Sequence, residues 1–201
     1  DQALPTHLQL PGGRAAVAAP PPAEPVAIIG IGCLLPGAQG PQALWRNLLD
    51  GVDAIGEIPS ERWDWRLYYD ADPAARDRIV SRWGGFIGAL PFDPLRYGIP
   101  PKSLASICIA QLLALEATRR ALADAGLGDL ANAPALRERT AAVFGAASTG
   151  DLELMYKARS ALPLAVAAPE AAFARLPEWT EESYPGILVN VIAGRVANRF
   201  D

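Results

Sequence analysis

The chain has 201 residues, with 18 Lys and Arg against 22 Asp and Glu for a formal net charge of −4; it is 51% hydrophobic and 20% charged. At roughly 100–200 residues per domain this gives room for one globular domain with appendages and excludes a disordered chain. The slight acidic excess argues against a nucleic-acid or anionic-membrane surface, which needs a basic patch, and no apolar run approaches the about 18 residues of a membrane-spanning helix.

Residues 1–25 read as a linker, because the prolines at 20, 21, 22 and 25 fix φ, remove donors and hold an extended, semi-rigid chain. Order begins at Val26. Residues 26–31 are short, β-branched and apolar on both faces, which predicts a buried strand of a parallel sheet. A turn-rich loop with Pro36 and Gly37 follows. Pro41 then opens a helix with Leu44, Trp45, Leu48 and Leu49 on one face and Gly51 closing it.

Residues 58–100 form an aromatic-rich cover, where repeated prolines forbid long helices. Trp63, Trp65 and Trp83 are expected to be mostly buried there as a satellite core. A second helix is predicted from Ser103, as its N-cap, to Gly126, with Leu104, Cys108, Leu112, Leu115 and Leu122 as its apolar stripe. Residues 140–146 predict a second buried strand, and residues 151–180 a weakly patterned amphipathic helix. A last helix runs from Ile187, apolar nearly all round, so Leu188, Val189, Ile192 and Val196 are expected to be buried against more chain or a second subunit. The order strand, helix, cover, helix, strand, helix gives α/β with parallel strands. The chain starts at Asp1 rather than Met and two strands are too few for a free-standing sheet, so part of a larger body is expected.

Cys33 and Cys108 lie far apart with no CxxC spacing, which removes zinc-ribbon and thioredoxin readings; both are taken as reduced packing residues. His7, in the leader, is the only histidine, so nucleophile–histidine pairs and multi-histidine metal sites cannot be completed from the folded part. No signal peptide is visible. Gly30-Ile31-Gly32 invites a dinucleotide fingerprint, but Leu35 and Pro36 stand where the third glycine and the phosphate-facing helix should be. Ala146 to Gly150 nearly matches a nucleophile elbow but lacks its first glycine and a base. Asp70, Asp72 and Asp77 suggest a calcium loop, yet Ala75 and Ser81 occupy the positions that need Gly and a carboxylate.

Several segments, taken in order, resemble one family. Residues 24–38 (Glu24-Pro25-Val26 through Leu35-Pro36-Gly37-Ala38), Leu44-Trp45, Pro59-Ser60-Glu61-Arg62-Trp63 and Phe92-Asp93-Pro94 look like the opening of a β-ketoacyl synthase (ketosynthase) domain of polyketide synthases. Gln111-Leu112-Leu113, Ala121 to Gly126 and the tail from Trp179 to Asp201 continue the match. Trp63-Asp64-Trp65 and Trp83-Gly84-Gly85-Phe86 are most similar to iterative synthases, including those of polyunsaturated fatty acids.

The resemblance implies a thiolase-like α/β/α/β/α fold, with this chain its N-terminal portion over residues 26–201. It implies decarboxylative Claisen condensation: a cysteine takes an acyl chain, and two histidines assist decarboxylation of a malonyl unit whose carbanion attacks the thioester. That cysteine and both histidines are expected beyond Asp201, so no catalytic residue and no metal site is assigned here. Ser148, Thr149, Ile187, Leu188 and Asn190 are the candidates for the acyl pocket and the subunit-facing side. No cofactor is expected to bind directly, since substrates arrive on the phosphopantetheine arm of an acyl carrier protein. The implied partners are the remainder of the ketosynthase domain, a second subunit in a homodimer and the carrier protein, in the cytoplasm, with neither nucleic acid nor a membrane span. Cys108 departs from the family, which commonly has an acidic residue there. A non-catalytic chain-length-factor partner and an unrelated small domain are the alternatives; the residues after Asp201 separate the first, independent cooperative folding the second.

Overall fold

The computed structural model describes residues 25–128, 133–147, 150–165, 167 and 170–200. Helix α1 spans Pro41–Leu49, with proline in its first turn and Gly51 in the left-handed region just past its end, as the sequence predicts. Its apolar face is present but uncovered: Trp45, Leu48 and Leu49 are exposed. Strands β1 (Ile55–Glu57) and β2 (Trp83–Gly85) pair antiparallel, Gly56 opposite Gly84, and form the one sheet among the described residues.

Between and after these strands the cover folds through 3₁₀ turns at Trp65–Leu67, Leu95–Tyr97 and Pro101–Ser106. Helix α2 is Ile109–Asp124 and α3 is Pro134–Arg137. Helices α4 (Asp151–Ala165), α5 (Glu170–Phe173), α6 (Ser183–Ile187) and α7 (Val191–Phe200) complete the order.

The core forms where α2 crosses α7 beneath the proline-rich turns. Leu112 and Leu115 from α2, Val196 from α7, and Tyr97, Ile99 and Ile107 from the turns make one buried cluster. Phe92 stacks on Tyr97 with ring centroids 4.9 Å apart, extending that cluster into the cover.

Four expectations need correction. Residues 26–31 and 140–146 are extended but are not strands, because neither has a ladder partner among the described residues; Ile28 is 83% and Val143 87% exposed. The first of these runs lies along α2 instead. A Cβ on Gly30 would come within 2.4 Å of the Ala121 carbonyl oxygen and one on Gly32 within 2.3 Å of that of Ala117, while the Ile31 N–H donates to Asp124 at 2.9 Å. The Gly-x-Gly pair therefore serves close backbone packing on a helix.

Second, α2 starts after Cys108, not Ser103. Ile107 is extended, and the Cys108 N–H is spent on the Gly186 carbonyl at 2.8 Å, which ends the 3₁₀ turn before the helix begins. Third, the last helix is broken at 188–190, where Leu188 is extended; Ile192 and Val196 are buried as expected, whereas Leu188 and Val189 are not. Fourth, of the three cover tryptophans only Trp65 is buried, at 7% exposure; Trp63 is at 38% and Trp83 at 57%. Trp65 packs edge-on against Tyr69 with the Arg66 and Arg82 guanidiniums over its face, whereas Trp83, on the two-stranded ribbon, has the Arg82 guanidinium over its ring and stays exposed.

Candidate functional site

Three polar arrangements on and around α2 set the geometry of the site. The first is Gln111, 1% exposed. Its Nε2 donates to the carbonyls of Pro185 (2.7 Å), Gly186 (3.1 Å) and Leu188 (3.1 Å), while its Oε1 accepts from Arg195 Nε at 2.8 Å. One amide thus ties α2 to α6 and α7.

The second is Glu116, five residues further along α2 and at the other edge of its buried stripe. Its carboxylate accepts from Arg119 (2.7 and 2.9 Å), Arg120 (2.7 Å) and the Tyr97 hydroxyl. Arg120 reaches on to the Gln39 carbonyl at 2.6 Å, so the cluster joins α2 to the loop before α1 and to the core tyrosine. The hydrogen bonds from Arg119 hold the Glu116 carboxyl down at about 2, against an ordinary 4.5. Burial, aided by the neighbouring Glu116, pushes the Tyr97 phenol up to about 12.

The third is a run of hydroxyls. Ser183 Oγ donates to Tyr156 Oη at 2.8 Å and accepts from the Thr180 N–H at 2.8 Å, and Thr180 Oγ1 lies 3.0 Å from Ser106 Oγ. Trp179 stacks between Tyr156 and Tyr184 at 4.5 and 5.1 Å. This run binds α4 to α6 and to the turn before α2. Gly186 sits at the junction, where a Cβ would fall 1.8 Å from the Ser106 carbonyl oxygen.

Beside these ties, at the start of α2, lies a partly open and mainly apolar cavity of about 270 Å³. Cys108 and Ile109 form one wall, Leu152 and Met155 of α4 another, and Ile187 with Val189 a third; Arg62, Asp151 and Glu153 supply the charged groups. The volume is near the lower end of the roughly 300–1,000 Å³ usual for ligand pockets. The walls are mainly apolar and can take a hydrocarbon chain, with Arg62, Asp151 and Glu153 as the charged groups beside it. A larger trough of about 390 Å³ runs between the extended runs 26–31 and 140–146, floored by α2 and the end of α7.

Of the sequence-assigned candidates, Ile187 lines the smaller cavity. Ser148 and Thr149 lie outside the described residues, although their neighbours Ala147 and Gly150 also line it. Leu188 and Asn190 are exposed and line neither cavity; Leu188 contributes its carbonyl to Gln111. Cys33 and Cys108 are unpaired and half-buried, and Cys108, expected only to pack, forms cavity wall. His7 lies outside the described residues, among which no group of His, Cys, Asp and Glu could hold a metal and no helix is long and apolar enough to cross a membrane. Sequence reasoning missed the roles of Gln111 and Glu116. The available signal was their place on the buried stripe of α2 beside Leu112 and Leu115, where an unpaired polar side chain would be costly.

Comparison with known proteins then decides the family. Residues 23–201 match the beta-ketoacyl synthase, N-terminal domain. The chain belongs to the β-ketoacyl synthase family. Among curated relatives, this ketosynthase chain is 50% identical over 108 residues to the polyketide synthase ThaQ of Burkholderia thailandensis and 40% identical over 148 residues to the polyketide synthase PksN of Bacillus subtilis. It is 42% identical over 106 residues to a phenolphthiocerol/phthiocerol polyketide synthase polypeptide of Mycobacterium tuberculosis. These alignments cover 52%, 72% and 52% of the chain but only 5%, 3% and 6% of the relatives.

Among solved structures, the oxazolomycin ketosynthase domain OzmH KS7 of Streptomyces albus JA3453 matches with a TM-score of 0.59 at 25% identity, over 87% of this chain and 27% of that one. The fold is therefore that of the N-terminal portion of a thiolase-like ketosynthase, and the ordered motifs read from the sequence belong to the family they resemble.

Proposed function

We propose that this chain is the N-terminal part of a ketosynthase that performs decarboxylative Claisen condensation in polyketide or fatty acid synthesis. The observation that carries this reading is the family match, which runs unbroken over residues 23–201. In this scheme a cysteine outside residues 1–201 takes the acyl chain from the phosphopantetheine arm of an acyl carrier protein. A malonyl unit then loses CO2, assisted by two histidines also outside these residues. The resulting carbanion attacks the thioester, forming the carbon–carbon bond and releasing the cysteine thiolate.

Residues of this chain shape and support the acyl side of that reaction. The aliphatic cavity walled by Ile187, Met155 and Cys108 is assigned to part of the acyl chain. Ser148 and Thr149 are assigned to the same pocket, and Leu188 and Asn190 to the side facing a second subunit. The exposed β-branched runs at 26–31 and 140–146 carry open backbone edges, which we assign to pairing with the remainder of the domain.

The test compares the complete ketosynthase with residues 1–201 after incubation with hexanoyl-pantetheine, read by intact-protein and peptide mass spectrometry. The complete protein should gain one acyl group per subunit on a cysteine outside residues 1–201, and the shorter chain none. Acylation of Cys33 or Cys108 would overturn the assignment. A complete protein that binds carrier protein yet takes no acyl group would turn it toward a chain-length factor.

A further inference from the structure

We infer that Gln111 is a positioning residue that fixes the acyl-chain-length selectivity of the cavity without touching it. This rests on the proposal that the cavity holds an acyl chain. Gln111 lines neither cavity; it is buried on the far side of the segment that does.

The carbonyls at a helix end have no partner within the helix and must find one elsewhere. Helix α6 is only five residues long, and two of the carbonyls at its end, those of Pro185 and Gly186, point to the Gln111 amide. The third, Leu188, lies just beyond the helix, where the backbone turns extended before α7. Gln111 thus caps α6 from a different helix. Ile187 is held between two clamped residues, and Ile187 is the cavity wall facing Cys108 and Met155.

The amide is itself held in one orientation. Arg195 Nε can only donate, so it fixes Oε1 on its own side and leaves both N–H groups for the carbonyls. No other side chain of this size offers that combination: methionine loses every bond, and glutamate keeps the Arg195 contact but sets a carboxylate against three carbonyl oxygens. Without the amide the Pro185 carbonyl loses its partner and the Gly186 and Leu188 carbonyls keep only the Cys108 and Val191 N–H groups, so the segment loosens and blurs the wall at Ile187. The expected consequence is loss of discrimination between chain lengths, because a well-formed apolar wall separates substrates differing by a methylene by about tenfold or more.

The experiment uses the complete ketosynthase and measures acylation kcat/KM with acetyl-, hexanoyl- and dodecanoyl-pantetheine. Gln111→Met should move the ratio between best and worst chain toward unity by about tenfold. Ile187→Ala, which changes the wall directly, should shift the same ratio, and the double variant should shift it no further than Ile187→Ala alone. Gln111→Glu, equal in volume to the native residue, gives a second reading should the methionine variant not fold. An unchanged ratio in Gln111→Met beside a changed one in Ile187→Ala overturns the inference while leaving the cavity assignment intact. An unchanged ratio in both overturns the cavity assignment and the inference with it. A parent that condenses nothing overturns the proposed function itself. Failure of both Gln111 variants to fold counts against a selectivity role and reduces the residue to a structural one.

Discussion

Replacing Glu116 by glutamine tests whether the polar centre of α2 contributes stability through its charge. The carboxylate has a side chain only 8% exposed and takes hydrogen bonds from Arg119, Arg120 and Tyr97. Holding its acidity at about 2 rather than 4.5 corresponds to about 3 kcal/mol of stability at neutral pH. The folded value lies below the unfolded one, so this stability is fully present above about pH 4.5 and is lost as the pH falls through about 2. Glu116→Gln should therefore cost about 3 kcal/mol at pH 7, and the gap to wild type should narrow to under about 0.5 kcal/mol near pH 2. Urea denaturation followed by tryptophan fluorescence at a series of pH values measures both, with the slope m unchanged between the two proteins. A gap of the same size at pH 7 and near pH 2 would show that the loss comes from packing or hydrogen-bond geometry and not from the charge, and would refute the reasoning.

Trp65→Ala should lower stability by about 3–5 kcal/mol because its ring is buried against Tyr69 and two guanidiniums, while Trp83→Ala should cost less than about 1 kcal/mol, both read by urea denaturation. The sequence alone predicts a large loss for Trp83, so equal losses at the two positions would restore that expectation. Gly186→Ala sets a methyl 1.8 Å from the Ser106 carbonyl and should cost at least about 3 kcal/mol, read as a lowered urea midpoint. An unshifted midpoint there would mean that α6 does not press on the turn before α2.

Local chemistry made α1, the C-terminal end of α2 and the family legible in the sequence. Pro41 and Gly51 punctuate a helix whatever surrounds it, and Gly126 adopts the positive φ its position needs. The ordered family motifs likewise stand in one dimension and need no contacts to be read. Burial, pairing and clamping are different in kind, because each depends on what comes from elsewhere in the chain. The β-branched runs at 26–31 and 140–146 have the composition of strands, yet a strand exists only when another backbone meets its edge. Trp65 and Trp83 are the same residue in the same cover, and what the rest of the chain packs around each, Tyr69 on Trp65 among it, separates core from surface. Gln111 differs from an ordinary polar helix residue through partners 74 to 84 positions away, Pro185 and Arg195 among them, whereas Glu116 pairs locally with Arg119 and Arg120 and takes only the Tyr97 hydroxyl, 19 positions away, from another segment. Sequence set the local conformations, and tertiary structure decided which polar groups became the ties that hold the cavity, since a hydrogen bond between distant segments has no signature in either segment alone.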